Sequence, residues 1–223
     1  MKVLVKNNLL ILVLYLILIS VFLFFILSYN KVDIHIYLNQ FVGNVLFDRF
    51  FYYITYLGDG RMAGILLLII LIYNVRLGIC SAVSFFTATI IASVLKHCFF
   101  DDVNRPWFIF QWVVKVPMKY VDKEDLYLHN SFPSGHATQI FAIFICLAFF
   151  TPKPLNKFLF LSIAVLTAFS RVYLSQHWLV DITAGSLIGI CCAFLFYYIF
   201  ISKNNFNKLN NSLIKLIKSG QSS

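Results

Sequence analysis

Two histidines and one aspartate have the spacing of a nucleophile, its orienting partner and a proton donor. His177 and Asp181 are four residues apart, so they lie on one face if this segment is helical. Asp181 could then hold one imidazole nitrogen as N–H and leave the other nitrogen of His177 as a nucleophile. His136 remains available as a general acid for a leaving oxygen. These residues predict a transfer reaction through a covalent histidine intermediate.

Three cations and the start of a helix supply what a phosphate group needs. Lys96, Arg105 and Arg171 carry enough positive charge to neutralise one phosphate, and arginine offers a planar fork for its oxygens. Residues 133–136 fall where a helix is expected to begin, and unpaired backbone N–H groups there bind anions. Gly135 would let the backbone approach such a ligand closely. Because metal-dependent phosphatases use carboxylate-rich cages, this set indicates metal-free phosphoryl transfer.

The composition places these residues in a membrane protein. The chain has 223 residues, of which 61% are hydrophobic and 12% are charged. Soluble domains carry about 25% charged residues, and disordered chains have low hydrophobicity, so both classes are excluded. The length fits one membrane-embedded domain over residues 1–223.

Six apolar stretches are long enough to predict an all-α bundle of six transmembrane helices. An amphipathic surface helix is predicted over 34–56, and a basic tail over 203–223. The predicted spans cover residues 9–28, 59–75, 77–99, 135–151, 155–174 and 178–201.

Because successive spans cross the membrane in opposite directions, the third and fifth spans end on the same side on which the fourth and sixth spans begin. All nine acidic residues fall on that side, whereas the 18 lysines and arginines divide equally between the sides. The purely basic side is therefore expected in the cytoplasm, with both termini, and the other side at the exterior. The candidate residues all lie at this outer interface: Lys96, Arg105, Ser134, Gly135, His136, Arg171, His177 and Asp181.

Two motifs identify a family. Pro133-Ser134-Gly135-His136 matches in full the second motif of the type 2 phosphatidic acid phosphatase superfamily. Ser170-Arg171, then His177 and Asp181 at the family's spacing, match its third motif in full. The chain therefore resembles this superfamily of membrane enzymes over roughly residues 95–189, and two complete motifs in order make a chance match improbable.

The first motif departs from the usual pattern of the family. That motif normally has six residues between a lysine and an Arg-Pro pair, but eight separate Lys96 from Arg105-Pro106 here. Cys98 stands where the usual spacing would place the lysine. Lys96 is nevertheless the predicted first-motif residue.

The resemblance implies a helical bundle, a phosphohistidine on His177, and neither metal nor cofactor. It assigns orientation of the nucleophile to Asp181 and proton transfer to His136. The residues that would hold the phosphoryl oxygens are Lys96, Arg105, Ser134, Gly135 and Arg171.

The expected function is hydrolysis of a lipid phosphate or diphosphate at the outer leaflet of a bacterial cytoplasmic membrane. Undecaprenyl diphosphate, phosphatidic acid, phosphatidylglycerol phosphate and lipid A phosphates are the substrate classes of the resembled family. A lipid-to-lipid phosphotransferase using the same site, or a catalytically silent scaffold, are the alternatives. The expected partners are the lipid substrate and membrane lipids, not nucleic acid, and the oligomeric state stays open.

Other histidines are expected to play no part in the chemistry. His97 and His129 are interpreted as interfacial or loop residues, and His35 as a surface residue of the amphipathic stretch. Asp59, between two glycines, predicts a turn.

Overall fold

The computed structural model describes residues 2–122, 126–202, 209 and 211–213, and these form helices and loops without any strand. The all-α prediction is confirmed. Thr55–Gly58 is a 3-10 turn that follows α3, and the π-helical turns Leu95–Phe99 and Ile109–Val113 follow α5 and α6. The helices are α1 (Lys2–Ser28), α2 (Lys31–Asn39), α3 (Val45–Ile54), α4 (Gly60–Tyr73), α5 (Val75–Val94), α6 (Pro106–Phe108), α7 (Gly135–Phe150), α8 (Pro154–Tyr173) and α9 (Leu179–Ser202).

Four segments within the described residues are long and apolar enough to cross a membrane, rather than the six predicted. They are Asn7–Ser28, Val75–Phe99, Pro154–Tyr173 and Leu179–Ile201. Val45–Gly58 and Gly60–Tyr73 qualify only as a pair bent by 64°, which raises the number to five. The predicted fourth span is helical as Gly135–Phe150, but it is shorter than a spanning helix. The count of six is therefore not confirmed.

Helix α7 lies at the centre of the bundle, packed against α5, α8 and α9. Its residues from Ala137 to Phe149 are all buried except Gln139 and Leu147, which are half-buried. A helix that is apolar and buried all round is a core helix. Protein therefore surrounds α7.

Two glycines bring α9 directly against α7. A Cβ atom on Gly185 would lie 2.6 Å from the carbonyl oxygen of Ser134. One on Gly189 would lie 2.6 Å from both the Cβ of Phe141 and the carbonyl oxygen of Thr138. Small residues at helix interfaces in membranes allow this backbone approach. The contact sets the start of α9 beside the start of α7.

The amphipathic stretch is two helices rather than the single one predicted over 34–56. Residues 40–44 separate α2 from α3, because Gly43 adopts a φ of +101° and Asn44 caps α3 by accepting from Leu46 N at 3.0 Å. Helix α3 exposes aromatic side chains such as Phe47 and Tyr53, as expected for an interfacial helix. The surface interpretation of His35 is wrong, because this side chain of α2 is only 2% exposed.

The other local predictions have mixed outcomes. Asp59 does end a turn, and its Oδ1 accepts from Arg61 N at 2.8 Å, so it caps α4. Most of the basic tail over 203–223 lies outside the described residues. Of its described residues, Asn211 accepts a hydrogen bond from Val75 N through its carbonyl oxygen at 3.1 Å.

We expect Gly189→Ala to destabilise the bundle by about 1–3 kcal/mol, because the new methyl group overpacks the α7–α9 contact. The matched control is Gly64→Ala in α4, where a Cβ meets nothing within 4 Å. That change removes a helical glycine and should be neutral or stabilising by up to about 1 kcal/mol. Thermal unfolding in detergent checks both. Equal unfolding temperatures for the two variants would contradict the close α7–α9 packing.

Candidate active site

The structure brings the predicted residues together at one end of the bundle. Each lies at a helix end or in an adjoining loop, as the apolar pattern predicted. Ser134, His177 and Asp181 are almost fully buried, and Arg105 and Arg171 are 9% and 8% exposed. Lys96 and His136 are half-buried, so both remain accessible to a ligand.

His177 and Asp181 face each other at the start of α9. Nδ1 of His177 lies 3.3 Å from Oδ2 of Asp181. That oxygen also accepts from the backbone N–H of Trp178 at 2.9 Å and from the hydroxyl of Ser131 at 2.5 Å. With Nδ1 protonated towards the carboxylate, Nε2 carries the lone pair. Nε2 is 3.5 Å from Nη1 of Arg105, so it points towards the cations.

The environment of His177 favours the neutral ring. Burial lowers the pKa of His177 well below its ordinary value of 6.5. The positive charges of Arg105, Arg171 and Lys96 lower this pKa further, while a backbone hydrogen bond with Ser131 opposes them. A neutral imidazole has the free lone pair that nucleophilic attack requires.

Backbone carbonyl oxygens hold two of the cations. Arg105 donates from Nε to His129 O at 2.8 Å, from Nη1 to Gln176 O at 3.1 Å, and from Nη2 to Asn130 O at 3.3 Å. Lys96 donates from Nζ to the same Asn130 oxygen at 2.9 Å. Carbonyl groups fix these side chains without cancelling their charge. The cations therefore remain available to an anion.

The unusual spacing of the first motif has a structural counterpart. Lys96 lies in the π-helical turn Leu95–Phe99 at the end of α5. It shares a carbonyl partner with Arg105, which joins the two ends of the motif in space. Cys98, the residue at the usual spacing, is exposed. The geometry thus favours Lys96.

The start of α7 combines a helix cap with open space. The hydroxyl of Ser134 accepts from Ala137 N at 3.4 Å, and Ser134 N donates to the carbonyl oxygen of Asp181 at 3.1 Å. A Cβ atom on Gly135 would meet nothing within 4 Å. The first turn of α7 therefore offers room for an anion beside its backbone N–H groups.

A cavity of about 180 Å³ leads to His136 and Arg171. Arg171 donates from Nη1 to the hydroxyl of Thr55 at 3.0 Å, which links α8 to the turn after α3. A larger cavity, about 600 Å³, is lined by Arg76 and lies at the opposite end of the same helices. The cavity at the site is lined by Tyr52, Thr55, Tyr56, Asp59, Asp122, Tyr127, His136, Arg171, Leu174 and Gln176.

Sequence reasoning missed Ser131 and Asn130, which approach the site from the loop before α7. Ser131 bonds the carboxylate of Asp181, and the Asn130 carbonyl anchors both Lys96 and Arg105. Neither forms a recognisable spacing with a catalytic partner. Only their position just before the second motif could have suggested them.

The two remaining histidines near the site agree with their interpretation as interfacial or loop residues. His97 and His129 are exposed. The ring of His129 lies 2.8 Å from Asn104 Oδ1, away from the reacting groups. Its backbone carbonyl, not its imidazole, serves the site by holding Arg105.

Known proteins are similar to this chain in sequence and in fold. The model of the PAP2 superfamily matches residues 77–205. An undecaprenyl-diphosphatase of Sulfolobus acidocaldarius is 31% identical over 125 residues, which are 54% of this chain and 53% of that enzyme. The chain thus spans about half the length of this curated relative.

Two solved structures have a similar fold. The crystal structure of Aquifex aeolicus LpxE has a TM-score of 0.64 and 25% identity, over 74% of this chain and 93% of that one. A PAP2-type phosphatidylglycerolphosphate phosphatase from Bacillus subtilis also has a TM-score of 0.64, over 91% of this chain and 100% of that one. At 23% identity, this second likeness concerns the fold alone.

The fold and the site agree with this family, because apolar helices of spanning length carry a buried His–Asp pair among cations at one end. The chain belongs to the PAP2 superfamily, as its motifs predicted.

Ser131→Ala should lower kcat/KM for phosphate release by roughly tenfold or more, because a hydrogen bond to a charged group contributes about 1.5–3 kcal/mol. The control is Ser84→Ala, which removes a buried hydroxyl of α5 that has no hydrogen-bond partner in the described structure. Steady-state rates of both variants in detergent provide the check. An unchanged rate for Ser131→Ala would show that the carboxylate needs no support from this loop.

Proposed function

We propose that the protein hydrolyses a lipid phosphate or diphosphate at the outer leaflet, through a phosphohistidine on His177. The observation that carries this proposal is the pair of His177 and Asp181, buried beside Arg105 at one end of the bundle. The superfamily match and the undecaprenyl-diphosphatase relative support it.

In the first half of the reaction, Nε2 of His177 attacks phosphorus and forms a P–N bond. The bond from phosphorus to the leaving oxygen breaks, and His136, which the negative charge of the bound phosphate keeps protonated, gives its proton to that oxygen. The substrate oxygens bind to the cations and the first turn of α7, where the developing charge is stabilised. The groups proposed for this binding are Lys96, Arg105, Arg171, Ser134 and Gly135.

In the second half, water replaces the leaving group. His136, now deprotonated, accepts a proton from the water as its oxygen attacks phosphorus. The P–N bond breaks, inorganic phosphate leaves, and Nε2 of His177 regains its lone pair. Asp181 keeps the Nδ1 proton in place throughout and stabilises the positive charge that the ring acquires.

The shape of the site suits a lipid substrate. A cavity of about 180 Å³ accommodates a phosphate group and part of a headgroup, whereas acyl or prenyl chains must stay outside. The undecaprenyl-diphosphatase relative supports an isoprenoid diphosphate as the substrate, and a broad range of phospholipids is the alternative.

Replacement of His177 or His136 by alanine should reduce phosphate release at least about 10³-fold, since residues that act as one catalytic unit fail together. His97→Ala, which removes an exposed histidine of the same region, is the matched control and should keep full activity. The measurement uses purified protein in detergent with phosphatidic acid, phosphatidylglycerol phosphate and undecaprenyl diphosphate, with a chelator present. Normal phosphate release by His177→Ala would overturn the mechanism. Phosphorylated lipid acceptor in place of free phosphate would identify a phosphotransferase.

The proposed orientation, with the site outside the cytoplasm, predicts a labelling pattern in intact cells. Lys115→Cys, in the exposed loop beside the site, should react with a membrane-impermeant thiol reagent without lysis. Lys153→Cys, in the turn between α7 and α8, should react only after lysis. Both substitutions require a Cys98→Ser background, because Cys98 is itself exposed at the end of α5. The reverse pattern would invert the topology.

A further inference from the structure

His35 lies behind the turn that carries the proposed nucleophile. Its side chain is 2% exposed, and its Nε2 is 3.1 Å from the hydroxyl oxygen of Ser175. Its ring packs edge-on against Trp178, with ring centroids 5.4 Å apart. Ser175 and Trp178 flank His177 along the chain. One imidazole of α2 therefore contacts side chains on both sides of the nucleophile along the chain.

The turn itself has an unusual backbone. Helix α8 ends at Tyr173, and Ser175 then adopts a φ of +56°, the left-handed region that residues other than glycine seldom occupy. The backbone N–H groups of Gln176 and His177 both donate to the carbonyl oxygen of Arg171, at 2.9 and 3.1 Å. This folds the chain back so that His177 lies beside Arg171. Strained conformations persist only where surrounding groups hold them, and the hydroxyl of Ser175 is held by His35.

Trp178 connects the ring of His35 to the carboxylate of Asp181. Its backbone N–H donates to Oδ2 of Asp181, and its indole N–H donates to the carbonyl oxygen of Asn104 at 2.8 Å. The indole ring thus has a hydrogen bond on one side and the imidazole of His35 on another. A shift of this ring would move the N–H that helps to hold Asp181.

An imidazole is a costly choice for this position. Burial lowers the pKa of His35 to about 4, against a smaller opposing effect of Asp181, so the ring is neutral. Its Nδ1 is buried without a hydrogen-bond partner in the described part of the chain. A buried polar atom without a partner is unfavourable, and an apolar side chain would fill the space without that cost. The contact with Ser175 is the feature that only a polar side chain can supply.

We infer that His35 is a positioning residue for the phosphoryl-transfer reaction. Through Ser175 and Trp178 it holds the turn over residues 174–178 so that Nε2 of His177 faces the phosphate. This inference rests on the proposed function. It adds a residue outside the three motifs, on a helix outside the region matched by the family.

The first test separates positioning from stability. His35→Phe keeps an aromatic ring and loses the hydrogen bond, so kcat for dioleoyl phosphatidic acid in detergent should fall roughly 10- to 100-fold, the scale of a misplaced reacting group. KM should change less than about threefold, because the phosphate-binding groups are intact. His35→Gln, which retains a hydrogen-bonding group, should recover most of kcat. A kcat for His35→Phe within twofold of wild type would overturn the inference.

The matched control is Tyr173→Phe. The hydroxyl of Tyr173 also bonds two groups outside α8, Phe41 O at 2.9 Å and Asp48 Oδ1 at 2.6 Å, but it touches neither Ser175 nor Trp178. Its kcat should stay close to that of wild type. An equal loss in both variants would mean that His35 acts only through general packing, which overturns the inference.

A double-mutant cycle covers the case in which His35→Phe folds poorly. Ser175→Ala should reproduce the loss of kcat, and His35→Leu, which also lacks the hydrogen bond, should cost much less in that background than alone, because both changes break one contact. Additive losses would overturn the inference.

Binding of orthovanadate, which mimics the phosphoryl-transfer transition state, gives a readout that needs no turnover. Its affinity should weaken about as much as kcat falls in His35→Phe. Wild-type protein that binds vanadate but hydrolyses no lipid phosphate would overturn the proposed function, while the vanadate affinities would still decide the role of His35.

Discussion

The site depends on one buried carboxylate at the start of α9. Oδ2 of Asp181 accepts hydrogen bonds from the hydroxyl of Ser131, in the loop before α7, and from the backbone N–H of Trp178, and it pairs with His177. The backbone carbonyl oxygen of Asp181 accepts from the N–H of Ser134 at the start of α7. A carboxylate without partners at this depth would be costly, so these contacts must form together. They fix α7, α9 and the loop before α7 relative to one another.

Two of the cations are held by a different kind of partner from those of the carboxylate. Arg105 and Lys96 are held by carbonyl oxygens, which carry partial rather than full charges. The site consequently keeps a positive potential, which also favours the neutral form of His177. In the proposed reaction, a phosphate dianion would supply negative charge and offset the electrostatic cost of gathering three cations. The geometry is thus arranged in advance for a ligand that the chain does not itself provide.

Much of this arrangement could be predicted from the sequence, because the relevant signals are local. Apolar runs located the helices, and helix ends gathered the predicted residues at one interface. The number of spans was harder, because α7 is surrounded by protein and needs no bilayer-length apolar run. The i, i+4 spacing found His177 and Asp181, but Ser131 meets Asp181 across 50 residues without any pattern.

The error on His35 has the same origin. Periodicity describes which face of a helix is apolar, and it cannot say which distant segment covers that face. The covering segment is the turn around Ser175, 140 residues further along the chain. The left-handed residue of this turn is a serine, so a glycine, the usual sign of a positive φ, does not mark it in the sequence.

The short central helix has a consequence for where the reaction takes place. Sixteen residues give α7 a length of about 24 Å, less than the roughly 30 Å of a hydrocarbon core. With its far end at the opposite interface, α7 would place His136, at its first turn, below the plane in which phosphate headgroups normally rest, unless the bilayer thins around the protein. In the proposed reaction a lipid headgroup would then have to move inwards, or the membrane would have to thin locally, before the chemical step. The thickness and stiffness of the surrounding lipid would thus contribute to the activation barrier, so that the rate would differ between membranes.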